Sequence, residues 1–210
     1  MIKNQKNIFL KYEGNRFFER NKKKLKLKDY SKDKITQIIN SLKVKKNMTI
    51  LEIGCCAGDR LNYLKKIFPH SKLYGIDPSE KAIKSNNNNK IILKRGTADN
   101  LNFPNDKFDI IIVGFCLYLC DDDDLFKIAN EIFKKCKNKG YIIIEDFITK
   151  KTEYLNYSYN KHIKSRKMNY IKMFDWHPNI SFLKKFSYQQ KKKHKKLDNT
   201  VSIALLLKST

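Results

Sequence analysis

Short apolar runs alternate with helix-spaced segments through the middle of this 210-residue chain, and that alternation restricts the fold more than any other feature. Thr49–Ile53, Lys72–Asp77, Lys90–Lys94, Phe108–Val113 and Tyr141–Glu145 read as strands, and Phe108–Val113 is apolar enough to be buried on both faces. Between them, Leu61, Leu64 and Phe68 share one helix face, and Pro78 is expected at the first position of a second helix. Leu125, Ile128, Ala129, Ile132 and Phe133 predict a third helix over about Asp123–Cys136. Upstream, Ser31 is expected to cap a helix over about 32–43 that carries Ile35, Ile38, Ile39 and Leu42. Strands separated by helices specify a parallel sheet, so a doubly wound α/β fold with a mostly parallel sheet is expected. Beyond Asp146 the alternation stops. Residues 148–178, aromatic and lysine-rich, predict a partly helical cap on the substrate side. Ser181–Gln189 and Thr200–Lys208 predict a C-terminal antiparallel hairpin around the basic tip Lys191–Lys196. Residues 1–30 read as an N-terminal arm and 31–210 as a single domain.

A length of 210 residues suits one well-buried core. The formal net charge of +24, from 45 basic against 21 acidic residues, ordinarily points to nucleic acid or an anionic surface. Here the only arginines are Arg16, Arg20, Arg60, Arg95 and Arg166, and the other 40 basic residues are lysines. Arginine is the side chain suited to bidentate phosphate and base contacts. Lysine spread along a chain also rich in Asn and Ile reads as compositional drift, so a nucleic-acid partner is not expected. Five cysteines without C-x-x-C spacing predict reduced thiols and no metal site. The acidic run Asp121–Asp124 is expected to complement a helix dipole. Met1–Asn15 has no apolar stretch of signal-peptide length, and no run approaches the roughly 20 apolar residues of a membrane span. A cytoplasmic protein without membrane insertion is therefore expected.

In an open parallel sheet, ligands bind beyond the carboxyl ends of the strands where strand order reverses. Three segments fall at such ends. Gly54–Gly58 offers a loop that lets backbone amides approach a ligand, followed by a helix N-terminus. Asp77 closes the next strand, where a carboxylate can accept both hydroxyls of a ribose. Gly96-Thr97-Ala98-Asp99 follows the third strand, and Asp99 is placed to take the exocyclic amine of an adenine. A dinucleotide site shares this geometry, but Cys56 and Asp59 stand where G-x-G-x-x-G needs its second and third glycines.

Glu52-x-Gly54-x-Cys56-x-Gly58 resembles the acidic-x-Gly-x-Gly-x-Gly motif of class I S-adenosylmethionine-dependent methyltransferases, with Cys56 in place of the middle glycine. The resemblance covers about 48–147, through Leu51–Leu61, Tyr74–Ile83, Gly96–Asp109 and Phe126–Phe147. Gly14–Asn21, Gly114–Asp121, Lys167–Tyr170 and Asp198–Lys208 extend it to a group of bacterial methyltransferases that modify saccharides or other small metabolites. It implies a Rossmann-like fold, S-adenosylmethionine as cofactor, and a cofactor site of Glu52, Gly54, Cys56, Gly58, Asp77, Pro78, Ala98, Asp99 and Gly114. The leading expectation is methyl transfer to a small-molecule or saccharide substrate, although the resemblance itself does not specify the acceptor. Two alternatives stand beside it: an RNA or other nucleic-acid methyltransferase, and a non-catalytic nucleotide-binding protein. Against the first, Gly114-Phe115-Cys116-Leu117 lacks the N/D-P-P-Y/F motif of enzymes that methylate base amino groups. In-line transfer from a sulfonium needs alignment more than a base. For a hydroxyl acceptor, His177, Tyr118, Asp146 and His162 are the candidates for one. The oligomeric state is left open by the sequence.

Overall fold

Alternate residues of the central strand face opposite cores. The computed structural model describes residues 4–42, 47–190 and 199–209. In β4 (Phe108–Gly114), Ile110 and Ile112 enter one apolar cluster while Ile111 and Val113 enter another, all without solvent exposure. The first cluster is covered by Ile35 and Ile39 of α3 (Lys34–Ser41) and by Leu61 and Leu64 of α4 (Asp59–Ile67). The second is covered by Ile128 and Ile132 of α6 (Leu125–Lys135). Helices on both faces explain why these strands are apolar without interruption.

The sheet has seven strands in the order β3-β2-β1-β4-β5-β9-β8, where β1 is Thr49–Ile53, β2 Lys72–Asp77, β3 Ile92–Arg95, β5 Cys136–Phe147, β8 Ile180–Gln189 and β9 Thr200–Lys208. β1 to β5 run parallel, and β9 and β8 add the antiparallel pair. This is the Rossmann-like α/β fold the sequence predicts. Strand order reverses between β1 and β4, which opens a crevice at their carboxyl ends. The hairpin tip Lys191–Lys196 lies outside the described residues.

Local capping shifts several expected boundaries. Asp33, not Ser31, caps α3, accepting the Thr36 amide at 3.2 Å. Pro78 lies before the helix it was expected to open. Ser79 caps α5 (Glu80–Lys84) by accepting the Ala82 amide at 3.1 Å. A 3-10 turn at Asp122–Asp124 delays α6 to Leu125, and β5 begins early at Cys136, across a register shift opposite Phe108 and Ile110. The segment expected as a partly helical cap forms an antiparallel hairpin, β6 (Glu153–Asn156) with β7 (Lys164–Lys167), and then a 3-10 turn at Tyr170–Met173. The arm is itself helical: α1 (Gln5–Ile8), a π-helical turn (Phe9–Glu13) and α2 (Gly14–Lys26).

One buried cation ties these layers together. Arg60 of α4 is 8 % exposed. Its guanidinium bonds Glu52 of β1, donates to Asp33 at 3.0 Å and lies 3.6 Å from Glu145 of β5. It spans β4 at Gly114, where a Cβ would sit 3.3 Å from Arg60 Nη1. Lys28 also pairs with Asp33, and the Tyr188 hydroxyl donates to Glu145 at 2.8 Å. Burial lifts the Glu52 carboxyl to about 7 in spite of Arg60. Burial also acts to raise Asp33, but Arg60 and Lys28 outweigh it and hold Asp33 at about 2. Removing the cation strands Glu52 and leaves Asp33 with Lys28 and Glu145 with the Tyr188 hydroxyl. Arg60→Leu is expected to lower stability by about 3–5 kcal/mol at neutral pH. Uncompensated buried acids take up protons more readily folded than unfolded, so the loss should shrink as pH falls. Urea unfolding at pH 7.5 and 5.5 checks both statements.

Candidate active site

After Ile53 the chain turns through Gly54 (φ +74°), Cys56 (φ +51°) and Gly58 (φ +74°), all in the left-handed region. Glycine adopts that region freely, whereas Cys56 does so at a cost of about 1–2 kcal/mol. The turn is pinned to β2, because the Gly54 and Cys55 amides donate to the Ile76 carbonyl at 2.8 and 3.2 Å. A Cβ at Gly54 would lie 3.0 Å from that of Cys116. Asp77, at the end of β2, accepts the Cys56 and Ser79 amides at 2.8 Å each and so binds the two loops together. Burial pushes its carboxyl up to about 6, even though both amide bonds favour the charged form.

A cleft runs along this edge, with about 770 Å³ of empty volume including the open space at its mouth. Of the residues expected to bind a cofactor, the cleft is lined by Gly54, Cys56, Asp77, Pro78, Ala98 and Asp99. Three lie off it. Glu52 turns to Arg60, Gly114 makes room for the same guanidinium, and Gly58 opens α4 against Ile91 and Leu93.

A family profile for a methyltransferase domain matches residues 50–140. The chain carries a methyltransferase domain over residues 50–140. No curated protein sequence matches the chain significantly. Among solved structures, it is similar to a SAM-dependent methyltransferase from Methanosarcina mazei (15 % identity, TM-score 0.66, covering 82 % of this chain and 97 % of that one). It is also similar to the 1,6-didemethyltoxoflavin N1-methyltransferase of Burkholderia thailandensis, seen with 1,6-didemethyltoxoflavin and S-adenosylhomocysteine (11 %, TM-score 0.61, covering 78 % and 72 %). The [4+2]-cyclase SpnF shares the fold as well (11 %, TM-score 0.66, covering 85 % and 82 %). Likeness at this level shows the fold. The methyltransferase assignment rests on the domain profile together with the site.

The residues of this methyltransferase fit S-adenosylmethionine. Asp77 is a half-buried carboxylate on the cleft, and each of its oxygens keeps a lone pair for a ribose hydroxyl. Gly54 and Cys56 expose backbone to the ligand, while Thr97, Ala98 and Asp99 line the wall expected to meet adenine. Sequence reasoning missed the contribution of the arm, which places Lys6, Phe9, Gly14 and Phe17 on the cleft. Gly14 permits that approach: a Cβ there would lie 2.9 Å from the Phe9 carbonyl oxygen and 3.1 Å from the Ser79 amide nitrogen. Asn15 follows, accepting from the Ser79 hydroxyl and the Lys81 amide at 2.9 and 3.0 Å. The resemblance at Gly14–Asn21 was the only signal of this role. The acidic run also has a different use. Asp121 accepts the Gln5 and Lys6 amides of the arm, Asp122 pairs with Arg166, and Asp124 pairs with Lys6.

None of the base candidates reaches the cleft. Asp146 is buried and accepts the Tyr118 and Phe147 amides at 3.2 and 2.8 Å, and burial raises it to about 7. It fixes the turn whose neighbours Phe115, Cys116 and Leu119 line the cleft. The Tyr118 ring packs on Phe147 at 5.2 Å, and burial raises its phenol. His162 is exposed in the β6–β7 turn. His177 stacks 4.2 Å from Phe133 and accepts the Asn179 amide, beside the end of β9 and far from the carboxyl edge of the parallel strands. Among the described residues, no group of three His, Cys, Asp or Glu could hold a metal, and no helix is long and apolar enough to cross a membrane.

Because Asp77 is protonated more readily in the fold than at its ordinary 3.8, its contribution to stability is greatest at low pH and declines as pH rises from about 3.8 to about 6. The ionised form is the stronger acceptor for the ribose hydroxyls, with both oxygens free of a proton. Affinity for S-adenosylhomocysteine is therefore expected to be about tenfold weaker at pH 5 than at pH 7.5, with that dependence abolished in Asp77→Asn. Calorimetry across this range reads both.

Proposed function

We propose that the enzyme transfers a methyl group from S-adenosylmethionine to a small-molecule or saccharide acceptor. The observation that carries this reading is the enclosure of the cleft: beyond the glycine loop its wall is built from Phe9 and Phe17 of the arm and from Phe115 and Leu119 after β4. Such a wall encloses one compact ligand against apolar surface, and aromatic faces accept planar rings and sugar faces. The bound cofactor supplies an electrophilic methyl group. The chain's own part is to hold the acceptor in line and exclude water, which accounts for a large share of the acceleration in a displacement of this kind. Asp146 serves by positioning the turn that carries Phe115 and Cys116, without touching a reactant. The diffuse distribution of lysine supports a small acceptor over nucleic acid.

Cell extract incubated with the enzyme and methyl-labelled cofactor tests the proposal. Label is expected in the low-mass or saccharide fraction, unchanged by nuclease. Label confined to macromolecules and removed by nuclease would refute it.

A further inference from the structure

The arm does more than line the cleft. Its first turn, α1, opens a helix that continues through the π-helical turn into α2, and being at the free end it is the part most dependent on bonds to the domain. Those bonds converge on the mouth of the cleft. The Asp121 carboxylate accepts the Gln5 and Lys6 amides at 3.0 and 2.9 Å, and the Gln5 side-chain amide donates to the Leu119 carbonyl at 3.2 Å. Lys6 then reaches across the opening. Its ammonium bonds Asp99, on the loop after β3, and lies 2.9 Å from Asp124, on the turn before α6. The three side chains are 23 %, 12 % and 8 % exposed, so the bridge is partly shielded from water. Asp99 is also the carboxylate expected to receive the adenine amine. The apolar contacts of the segment belong to neither sheet core. Ile8 packs with Tyr157 and Ile163 of the β6–β7 hairpin in a small separate cluster. The far end is anchored by Gly14 and Asn15 on the Pro78–Ser79 loop.

We propose that Gln5–Glu13 is a strap across the adenine end of the cofactor cleft, with Lys6 as its latch to Asp99 and Asp124. Held at Gly14 by the Pro78–Ser79 loop, at the Leu10 carbonyl by Arg95 and at Lys6 by the latch, the strap lies across a cleft that still has room for a ligand, so cofactor entry and product exit pass it. A latch made of ion pairs and amide–carboxylate bonds can open without exposing either sheet core. Its charged part is weakened by salt.

Surface plasmon resonance with S-adenosylhomocysteine tests this without turnover. Lys6→Met removes the bridge, and Asp121→Asn, on a different element, weakens the seat of α1. Each is expected to raise both the association and the dissociation rate constants by about fivefold or more, because one barrier governs passage in both directions. Hydrogen exchange of the Gln5–Leu10 amides should quicken in both variants while that of Thr49–Ile53 stays unchanged, which excludes general unfolding. A faster release without faster association would make Lys6 a direct ligand instead of a latch and would overturn the proposal, as would unchanged rates in both variants.

Discussion

Arg60 sets the geometry on which the site depends. Its guanidinium gathers Glu52 from β1, Glu145 from β5 and Asp33 from the cap of α3, and crosses β4 where Gly114 has no side chain. The carboxyl ends of the three central strands are thereby held to one another and to two helices, directly beneath the loops that meet the cofactor. A hydrophobic core can hold sheets together without fixing the relative height of strand ends to a fraction of an ångström. Directional, buried charge–charge bonds do fix it, and they are costly to break.

Above that layer, the Asp77 carboxylate performs the same task at the surface of the cleft. By accepting the Cys56 and Ser79 amides it joins the β1 loop to the β2 loop, and the free lone pairs of the same oxygens face the ligand space. The arm rests on this assembly through Gly14 and Asn15, which contact the Pro78–Ser79 loop that Asp77 holds. On the proposed function the protein's part is alignment, while Asp146 and Tyr118 pack behind the turn that lines the cleft.

The sheet was legible because strands buried on both faces must be apolar throughout, as Phe108–Val113 is, and because helix-spaced residues separate them. The place of Asp77 at the end of β2 on the cleft was legible as an acid closing a strand beside a glycine loop, whereas its bonds to the Cys56 and Ser79 amides were not. Roles set by contacts distant in sequence were not. Glu52 and Gly114 sit in the expected motif, yet their side of the backbone meets Arg60, and no local pattern announces a guanidinium crossing a strand. Asp121–Asp124 read as charge complementary to a helix dipole, but Asp121 and Asp124 meet the arm, more than a hundred residues upstream, and Asp122 meets Arg166. The β6–β7 hairpin escaped notice because its strands have four residues each and carry lysine and arginine that are buried only through tertiary contacts. His177 attracted attention as a histidine beside proline, and its ring packs on Phe133 at the opposite edge of the sheet.

The central claim is that the edge formed by Gly54, Cys56 and Asp77 selects an S-adenosyl cofactor over a dinucleotide, even with a cysteine in place of the middle glycine. Side-by-side calorimetric titration of S-adenosylhomocysteine and NAD into the wild-type protein and Asp77→Ala addresses it most directly. The expected result is micromolar binding of S-adenosylhomocysteine that is lost in Asp77→Ala, with no comparable binding of NAD. Tighter binding of NAD, or S-adenosylhomocysteine affinity indifferent to Asp77→Ala, would contradict it.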